Sequence, residues 1–94
     1  IKGAVIDGPL GFDNAISARA AEVKGISSEV SGEVDILIAP DLEAGNLLVK
    51  TLNTLCNIPV LNVVVGGKVP LVCWSPTDNV QTRLAALGLG VLCS

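Results

Sequence analysis

Residues 34–55 read VDILIAPDLEAGNLLVKTLNTL, and the change of pattern at Pro40 decides the fold class. The segment before Pro40 is apolar, as in a strand covered on both faces, and proline ends a strand because it lacks the N–H that the ladder needs. After it, apolar residues recur at Leu48, Leu52 and Leu55, the spacing of one helix face. The stretch therefore predicts a strand over residues 34–39 and an amphipathic helix over residues 42–55.

The same alternation of strand and helix is found upstream. Residues 3–7 (GAVID) form a short apolar run before the turn signal Gly8-Pro9 and predict a strand. Residues 14–24 carry apolar side chains at helical spacing, so we expect a helix that Asp13 caps at its start. Gly25 suits the left-handed position just beyond its end.

Downstream, residues 60–65 (VLNVVV) and 70–74 (PLVCW) predict two further strands, with residues 90–93 as a possible last one. A third helix is predicted from the apolar stripe of Val80, Leu84 and Leu87. Strands that alternate with helices indicate an α/β fold, with a mostly parallel sheet and helices on both faces. Loops at the carboxyl ends of such strands line the ligand crevice.

Charge and hydropathy narrow the function classes. The chain has 94 residues and a net charge of −3, with six basic residues in no cluster, which argues against nucleic acid or an anionic membrane as partner. No apolar run approaches the roughly 20 residues that a membrane span needs. Three cysteines at distant positions favour reduced thiols in a cytoplasmic protein. The lack of methionine predicts that residues 1–94 are a fragment.

The chain has neither histidine nor tyrosine, so the commonest general base and most catalytic triads are absent. A first candidate site is the start of the second helix, where Gly45 permits close approach to the backbone and Asn46 offers a donor and an acceptor. Free N–H groups at a helix start favour an anion. In the alternative reading, Asp41 only caps the helix and Gly45 packs against a strand.

A second candidate is the polar loop at residues 75–78, which follows a strand and precedes the third helix. The hydroxyls of this loop and the first-turn amides are able to surround a phosphate. In the alternative reading, Thr77 or Asp78 is an ordinary N-cap. Lys68, after a diglycine turn, is either a substrate-binding point charge or a solvated turn residue.

Two other groups have less support as functional sites. Asp7 and Asp13 lie on either side of a loop, and one interpretation is that their paired carboxylates hold magnesium. We favour the interpretation that they are capping and turn residues without metal. Cys73 lies in an apolar strand and is expected to be a buried structural thiol.

Three segments, in order, resemble one known family, that of phosphotransacetylases and phosphotransbutyrylases. DGPLGFDNAIS (residues 7–17) is similar to DGPLxFDNAIS, and VDILIAPDLEAGNLLVKTL (residues 34–52) is similar to ADILLxPDxEAGNxLYKxL. VVVGGKVPLVCWSPTD (residues 63–78) is similar to GAKxPVVLTSRxD. The resemblance covers nearly the whole chain and matches the C-terminal portion of the family.

The resemblance implies a transferase that exchanges an acyl group between coenzyme A and phosphate. Coenzyme A is then a substrate, with no permanently bound cofactor and no metal. It also implies a cytoplasmic homodimer or larger oligomer with an isocitrate and isopropylmalate dehydrogenase-like fold. The chain would cross between two domains near residues 66–70. Ser75 and Asp78 would be catalytic, and Asp41, Gly45 and Asn46 would bind substrate.

Two departures from the family pattern help to decide between its acetyl and butyryl branches. Pro76 stands where the resemblance expects an arginine, and Thr82 stands where the acetyl branch carries an aspartate. They favour a butyryl or branched-chain enzyme, and they leave open reduced activity or a phosphate site completed by another residue. The alternatives are a non-catalytic domain for regulation or subunit association, and another enzyme of the same fold. The fragment alone is expected to be inactive.

Overall fold

The chain divides between Ala39 and Pro40, at the proline that marks the end of a predicted strand. A computed structural model describes all residues, 1–94, and separates them into the units Ile1–Ala39 and Pro40–Ser94. Each unit has its own elements and its own buried residues, so the two are described in turn.

The first unit contains two short helices, α1 (Phe12–Ile16) and α2 (Ala18–Val23). They replace the single predicted helix over residues 14–24, because Ser17 has extended backbone (φ −131°, ψ 110°) and its hydroxyl accepts a hydrogen bond from the Ala20 N–H at 3.2 Å. This serine starts a new helix. The predicted cap was wrong, since Gly11 precedes α1 and Asp13 lies in its first turn.

The end of α2 follows the prediction for Gly25. This residue has φ +69°, and its N–H donates to the Glu22 carbonyl at 3.0 Å. The Ile26 N–H donates to the Ala21 carbonyl at 2.9 Å. This pair of bonds is the Schellman arrangement, which satisfies carbonyls that the helix leaves free.

The predicted strands over residues 3–7 and 34–39 are not formed in this chain. Neither segment is hydrogen-bonded into a sheet, and side chains that were expected to be covered are open, with Ile6 72% and Ile38 87% exposed. An apolar pattern shows that a segment is suited to a buried strand. A strand also needs a neighbouring strand for its backbone hydrogen bonds, and this chain provides none for these two segments. Small residues make up the core of this unit instead, with Ala15 and Ala21 buried.

The second unit begins with helix α3 (Leu42–Cys56), which agrees with the predicted helix over residues 42–55. The Asp41 carboxylate accepts the Ala44 N–H at 2.7 Å and caps the first turn. Asn57 ends the helix with left-handed backbone at φ 54°, a conformation that asparagine tolerates well.

Strands β1 (Asn62–Val64) and β2 (Leu71–Cys73) form the only sheet, and they pair antiparallel with Val63 opposite Val72. This hairpin stands in place of the predicted mostly parallel sheet. The physical reason is the short connection at residues 65–70, since parallel neighbours need a crossover of a dozen or more residues. The chain is thus a small α/β structure.

Helix α4 (Val80–Leu92) packs on the hairpin through its smallest residues. Ala86 is 1% exposed and Gly90 is buried, and a Cβ on Gly90 would lie 2.5 Å from Cγ2 of Val72. The predicted last strand at residues 90–93 was wrong, because residues 90–92 continue the helix. The predicted apolar stripe is exposed: it comprises Val80, Leu84 and Leu87.

Candidate functional site

The turn at residues 75–78 is closed by two hydrogen bonds between its ends. The Asp78 N–H donates to the Ser75 carbonyl at 3.0 Å, and the Ser75 N–H donates to Oδ2 of Asp78 at 2.7 Å. Serine is favoured at the first position of such a turn and proline at the second, because the proline ring fixes φ near the value that the second position needs. The Asp78 carboxylate therefore holds the shape of the turn.

Two hydroxyl groups lie together on this turn. Oγ of Ser75 is 2.8 Å from Oγ1 of Thr77, and it accepts a long hydrogen bond from the Thr77 N–H at 3.4 Å. Either hydroxyl can be the donor in this contact, and because each has a single hydrogen the pair keeps one hydrogen free to donate to an anion. The turn thus presents two adjacent hydroxyl groups with one free hydrogen at the carboxyl end of β2.

Lys50 brings a positive charge to the same place. Its Nζ donates to Oγ of Ser75 at 3.4 Å, which joins α3 to the turn before α4. The sequence-based prediction missed this lysine. The available signal was its spacing of four residues from Asn46, since residues i and i+4 of a helix share one face.

Arg83 reaches the turn from the other neighbouring element, the first turns of α4. Its Nη2 donates to the Pro76 carbonyl at 3.2 Å, and its Nε is buried without a hydrogen-bond partner. The one ion pair of the chain joins Lys24 to Asp13. Arg83 and Lys50 therefore have no carboxylate within 4.0 Å. This arginine was also missed from the sequence.

The cap of α4 differs from both residues that the sequence suggested. Asn79 precedes the helix, and its Oδ1 accepts the Thr82 N–H at 2.8 Å. Thr77 and Asp78 therefore lie outside the helix and belong to the turn. A surface cavity of about 420 Å³ opens beside them, and its lining is mostly amide, hydroxyl and carboxyl groups from Asn53, Asn57, Thr77, Asp78, Asn79 and Thr82.

At the start of α3 the observed hydrogen bonds agree with the capping interpretation. The Asp41 carboxylate occupies the Ala44 N–H, and the Gly45 N–H donates to the Asp41 carbonyl at 3.2 Å. Asn46 is exposed one turn before Lys50. Binding of substrate by Asp41, Gly45 and Asn46 stays a prediction.

The remaining candidates lie apart from these contacts. Lys68 is exposed on the hairpin loop and makes no hydrogen bond or ion pair. Its binding of substrate also stays a prediction. Cys73 is exposed in β2, which corrects the expectation of a buried thiol, because its strand has only one neighbour and α4 covers only part of the pair.

In the first unit, each candidate carboxylate has partners of its own. The Ser28 hydroxyl, followed by the Gly8 N–H at 2.8 Å, lowers the pKa of Asp7. A hydrogen bond from Lys24 at 2.6 Å, with the lysine charge added, lowers the pKa of Asp13. Such contacts favour the ionised form of each acid. Both carboxylates thus have partners within the chain itself, and Asp13 lies in the first turn of α1.

Comparison with known proteins relates this chain to one family over nearly its whole length. Residues 2–89 match the family described as phosphate acetyl/butaryl transferase. The chain belongs to this family. A phosphate acetyltransferase of Rhizobium meliloti is 49% identical over 92 residues, which are 98% of this chain and 29% of that protein.

Two further members of the phosphate acetyl/butaryl transferase family extend the comparison. A probable phosphate butyryltransferase of Bacillus subtilis is 42% identical over 94 residues, covering 100% of this chain and 31% of the relative. The crystal structure of a branched-chain phosphotransacylase from Enterococcus faecalis V583 superposes with a TM-score of 0.77 at 34% identity. That superposition covers 89% of this chain and 32% of the other.

The chain therefore spans about a third of the length of these relatives. None of its helices has the length and apolar character needed to cross a membrane.

Proposed function

We propose that the protein carrying this chain is a phosphate acyltransferase, which converts an acyl-CoA and phosphate to an acyl phosphate and coenzyme A. Family membership supports the reaction class. The observation that carries the proposal is the meeting of the Lys50 ammonium with the Ser75 hydroxyl at 3.4 Å. A phosphoryl group needs both a positive charge and hydrogen-bond donors, and this contact supplies both.

In this proposal the turn at residues 75–78 receives the phosphate. Lys50 neutralises part of its charge, while the hydroxyl pair of Ser75 and Thr77 donates to its oxygens with the hydrogen that their mutual bond leaves free. Asp78 acts by holding the Ser75 N–H, so its role is to set the geometry of the turn. A carboxylate beside an anion would repel it, but Oδ2 of Asp78 already accepts the Ser75 N–H, so the carboxylate serves to hold the turn.

The start of α3 supplies a second part of the proposed cleft. Asn46 precedes Lys50 by one helical turn and is open to solvent, so it is placed to contact the acyl or phosphoryl end of a substrate. Gly45 beside it leaves the backbone open to approach, and Asp41 fixes the first turn of the helix. Lys68 is proposed to bind the anionic substrate as a point charge on the hairpin loop.

The chemistry that we propose is direct transfer. The thiolate sulfur of coenzyme A attacks the carbonyl carbon of the acyl phosphate, the carbon–sulfur bond forms, and phosphate leaves with the electrons of the broken carbon–oxygen bond. Ser75 and Lys50 stabilise the charge on the departing oxygens. The remaining catalysis is positioning of the two substrates, which requires no covalent intermediate on the protein.

The acyl group is proposed to be short, with the butyryl or branched-chain type indicated by Thr82, which stands where the acetyl branch carries an aspartate. Acetyl transfer is the second candidate, since phosphate acetyltransferases of Rhizobium meliloti and Rickettsia typhi are 49% and 52% identical to the chain, and the probable phosphate butyryltransferase of Bacillus subtilis is 42% identical. The cytoplasmic location, the homodimer and the dehydrogenase-like fold of the whole protein are proposals that rest on the family resemblance.

The test is an assay of the intact protein for thioester formation from coenzyme A with acetyl, butyryl and isobutyryl phosphate. We expect turnover with at least one of them, and the ratio of kcat/KM values identifies the acyl preference. Absence of turnover with all three contradicts the proposal and supports the alternative, a non-catalytic domain that retains the fold.

A further inference from the structure

We propose that Arg83 is a positioning residue that holds the turn at residues 75–78 ready for a phosphate group. Its guanidinium binds the turn through the Pro76 carbonyl, on the protein side of the proposed phosphate site. The inference rests on the proposed function, because it assigns a role within the same site. It concerns a residue that none of the three family-like segments contains.

Arg83 reaches the turn from a rigid base. It lies early in α4, and its N–H donates to the Asn79 carbonyl at 3.1 Å, while Asn79 itself caps the helix. The guanidinium Nη2 then donates to the Pro76 carbonyl at 3.2 Å. A planar guanidinium loses little freedom per hydrogen bond, so it suits the fixing of a backbone group.

Pro76 is the part of the turn that most needs an outside partner. Proline has no N–H, and the two hydrogen bonds that close the turn use only Ser75 and Asp78. Arg83 is the side chain that bonds the Pro76 carbonyl. Without that bond, the turn keeps the contacts of Ser75 with Thr77 and Asp78, and the Pro76 carbonyl has no hydrogen-bond donor.

The surroundings of Arg83 also favour an anion nearby. Its Nε is buried and unpaired, and no carboxylate lies within 4.0 Å of the guanidinium. A partly buried cation whose hydrogen-bond partner is a neutral carbonyl is stabilised by an added anion. Lys50 also has no carboxylate within 4.0 Å, so two cations without an ion-pair partner contact one turn from α3 and from α4, while the acid of that turn, Asp78, binds the Ser75 N–H.

The experiment compares the intact protein with its Arg83→Gln and Arg83→Lys variants, and with Arg19→Gln as control. Arg19 is the other arginine of the chain and is exposed on α2. Inorganic phosphate is titrated by calorimetry, and the melting temperature of each variant is recorded. The KM for phosphate and for coenzyme A and the kcat are then measured separately.

We expect Arg83→Gln to weaken phosphate binding about tenfold and to raise the KM for phosphate similarly, with the KM for coenzyme A unchanged. Arg83→Lys, which keeps a charged donor, should recover most of the loss, and Arg19→Gln should match the wild type. Equal phosphate affinity in wild type and Arg83→Gln overturns the inference. So does a loss of affinity that only follows the melting temperature across the variants.

The two proposals fail in different ways. A wild-type protein that binds phosphate but transfers no acyl group overturns the proposed function, while weaker phosphate binding in Arg83→Gln still supports the role of Arg83. A wild-type protein that transfers acyl groups, with an Arg83→Gln variant of unchanged phosphate affinity and KM, supports the function and overturns the role of Arg83. A wild type that does not bind phosphate overturns both.

Discussion

Nζ of Lys50 lies 3.4 Å from Oγ of Ser75, although the two residues are 25 positions apart in the chain. The contact joins the exposed face of α3 to the turn that follows β2. It also connects two of the family-like segments, since Lys50 belongs to the stretch around Asn46 and Ser75 to the stretch that ends at Asp78. The following predictions test what this contact and its surroundings do.

Replacing Ser75 by alanine should lower acyl transfer about a hundredfold, because one donor to the phosphate oxygens is removed. Ser27→Ala, at an exposed position of the first unit, serves as the control and should keep wild-type kinetics. The measurement is kcat and KM of the intact protein. Wild-type turnover in Ser75→Ala contradicts a catalytic role for the hydroxyl.

Replacing Lys50 by methionine should raise the KM for phosphate about tenfold, since methionine retains an unbranched side chain but loses the charge. Lys2→Met, at an exposed position near the start of the chain, controls for the change in net charge. Increasing ionic strength should weaken phosphate binding in the wild type more than in Lys50→Met. An equal salt dependence in both proteins would be inconsistent with a role for Lys50 in phosphate binding.

Asn46→Ala should reduce activity more than melting temperature. The side chain is exposed on α3 and makes no hydrogen bond in the chain, so its loss costs little stability. Asn62→Ala, on the exposed β1, provides an asparagine control that should affect neither quantity strongly. A parallel fall of activity and melting temperature in Asn46→Ala returns that residue to a structural role.

Gly90→Ala and Gly88→Ala should have opposite effects on stability. A Cβ at Gly90 would meet Val72 at 2.5 Å, whereas a Cβ at Gly88 has nothing within 4 Å. The first should destabilise by about 1–3 kcal/mol through overpacking. The second should stabilise by up to about 1 kcal/mol, because alanine favours the helix. The melting temperatures of the two variants test this prediction, and a rise in both would contradict the close packing of α4 on β2.

The pair of Lys24 and Asp13 should contribute stability that depends on pH. The lysine lowers the pKa of Asp13 in the folded chain, so the contribution is present above the ordinary pKa of about 3.8. It is lost as pH falls through the lower folded value. Carboxyl-carbon NMR should show the Asp13 pKa rising in Lys24→Ala, with the pKa of Asp7 unchanged. An Asp13 titration that does not respond to this substitution argues against the ion pair.

Local signals predicted helix α3 and the end of α2 correctly. Helix α3 was recognised because its start at Asp41 and the spacing of its apolar residues are written in one continuous stretch. Gly25 was placed correctly for the same reason, since a left-handed helix end depends on a few neighbouring residues. By contrast, the break at Ser17 was missed because a serine within a helical pattern is compatible with either continuation or a new cap.

The sheet was predicted less well, because strand pairing depends on interactions between segments that are distant in the sequence. Apolar runs at residues 3–7 and 34–39 have strand composition, but they find no hydrogen-bonding partner in this chain. The apolar content of residues 90–93 predicts a possible last strand, although residues 90–92 form the end of α4. The spacing of Val80, Leu84 and Leu87 indicated a buried face, whereas the helix uses Ala86 and Gly90 against the hairpin.

Residue order alone determined the family and the segments that carry candidate chemistry, because short motifs and helix caps are local properties of adjacent side chains. Tertiary structure decided which cations contact the turn at residues 75–78, since Lys50 and Arg83 come from separate helices. It also decided the antiparallel pairing of β1 with β2. Both depend on distances between residues far apart in sequence, and such distances arise only when the elements pack.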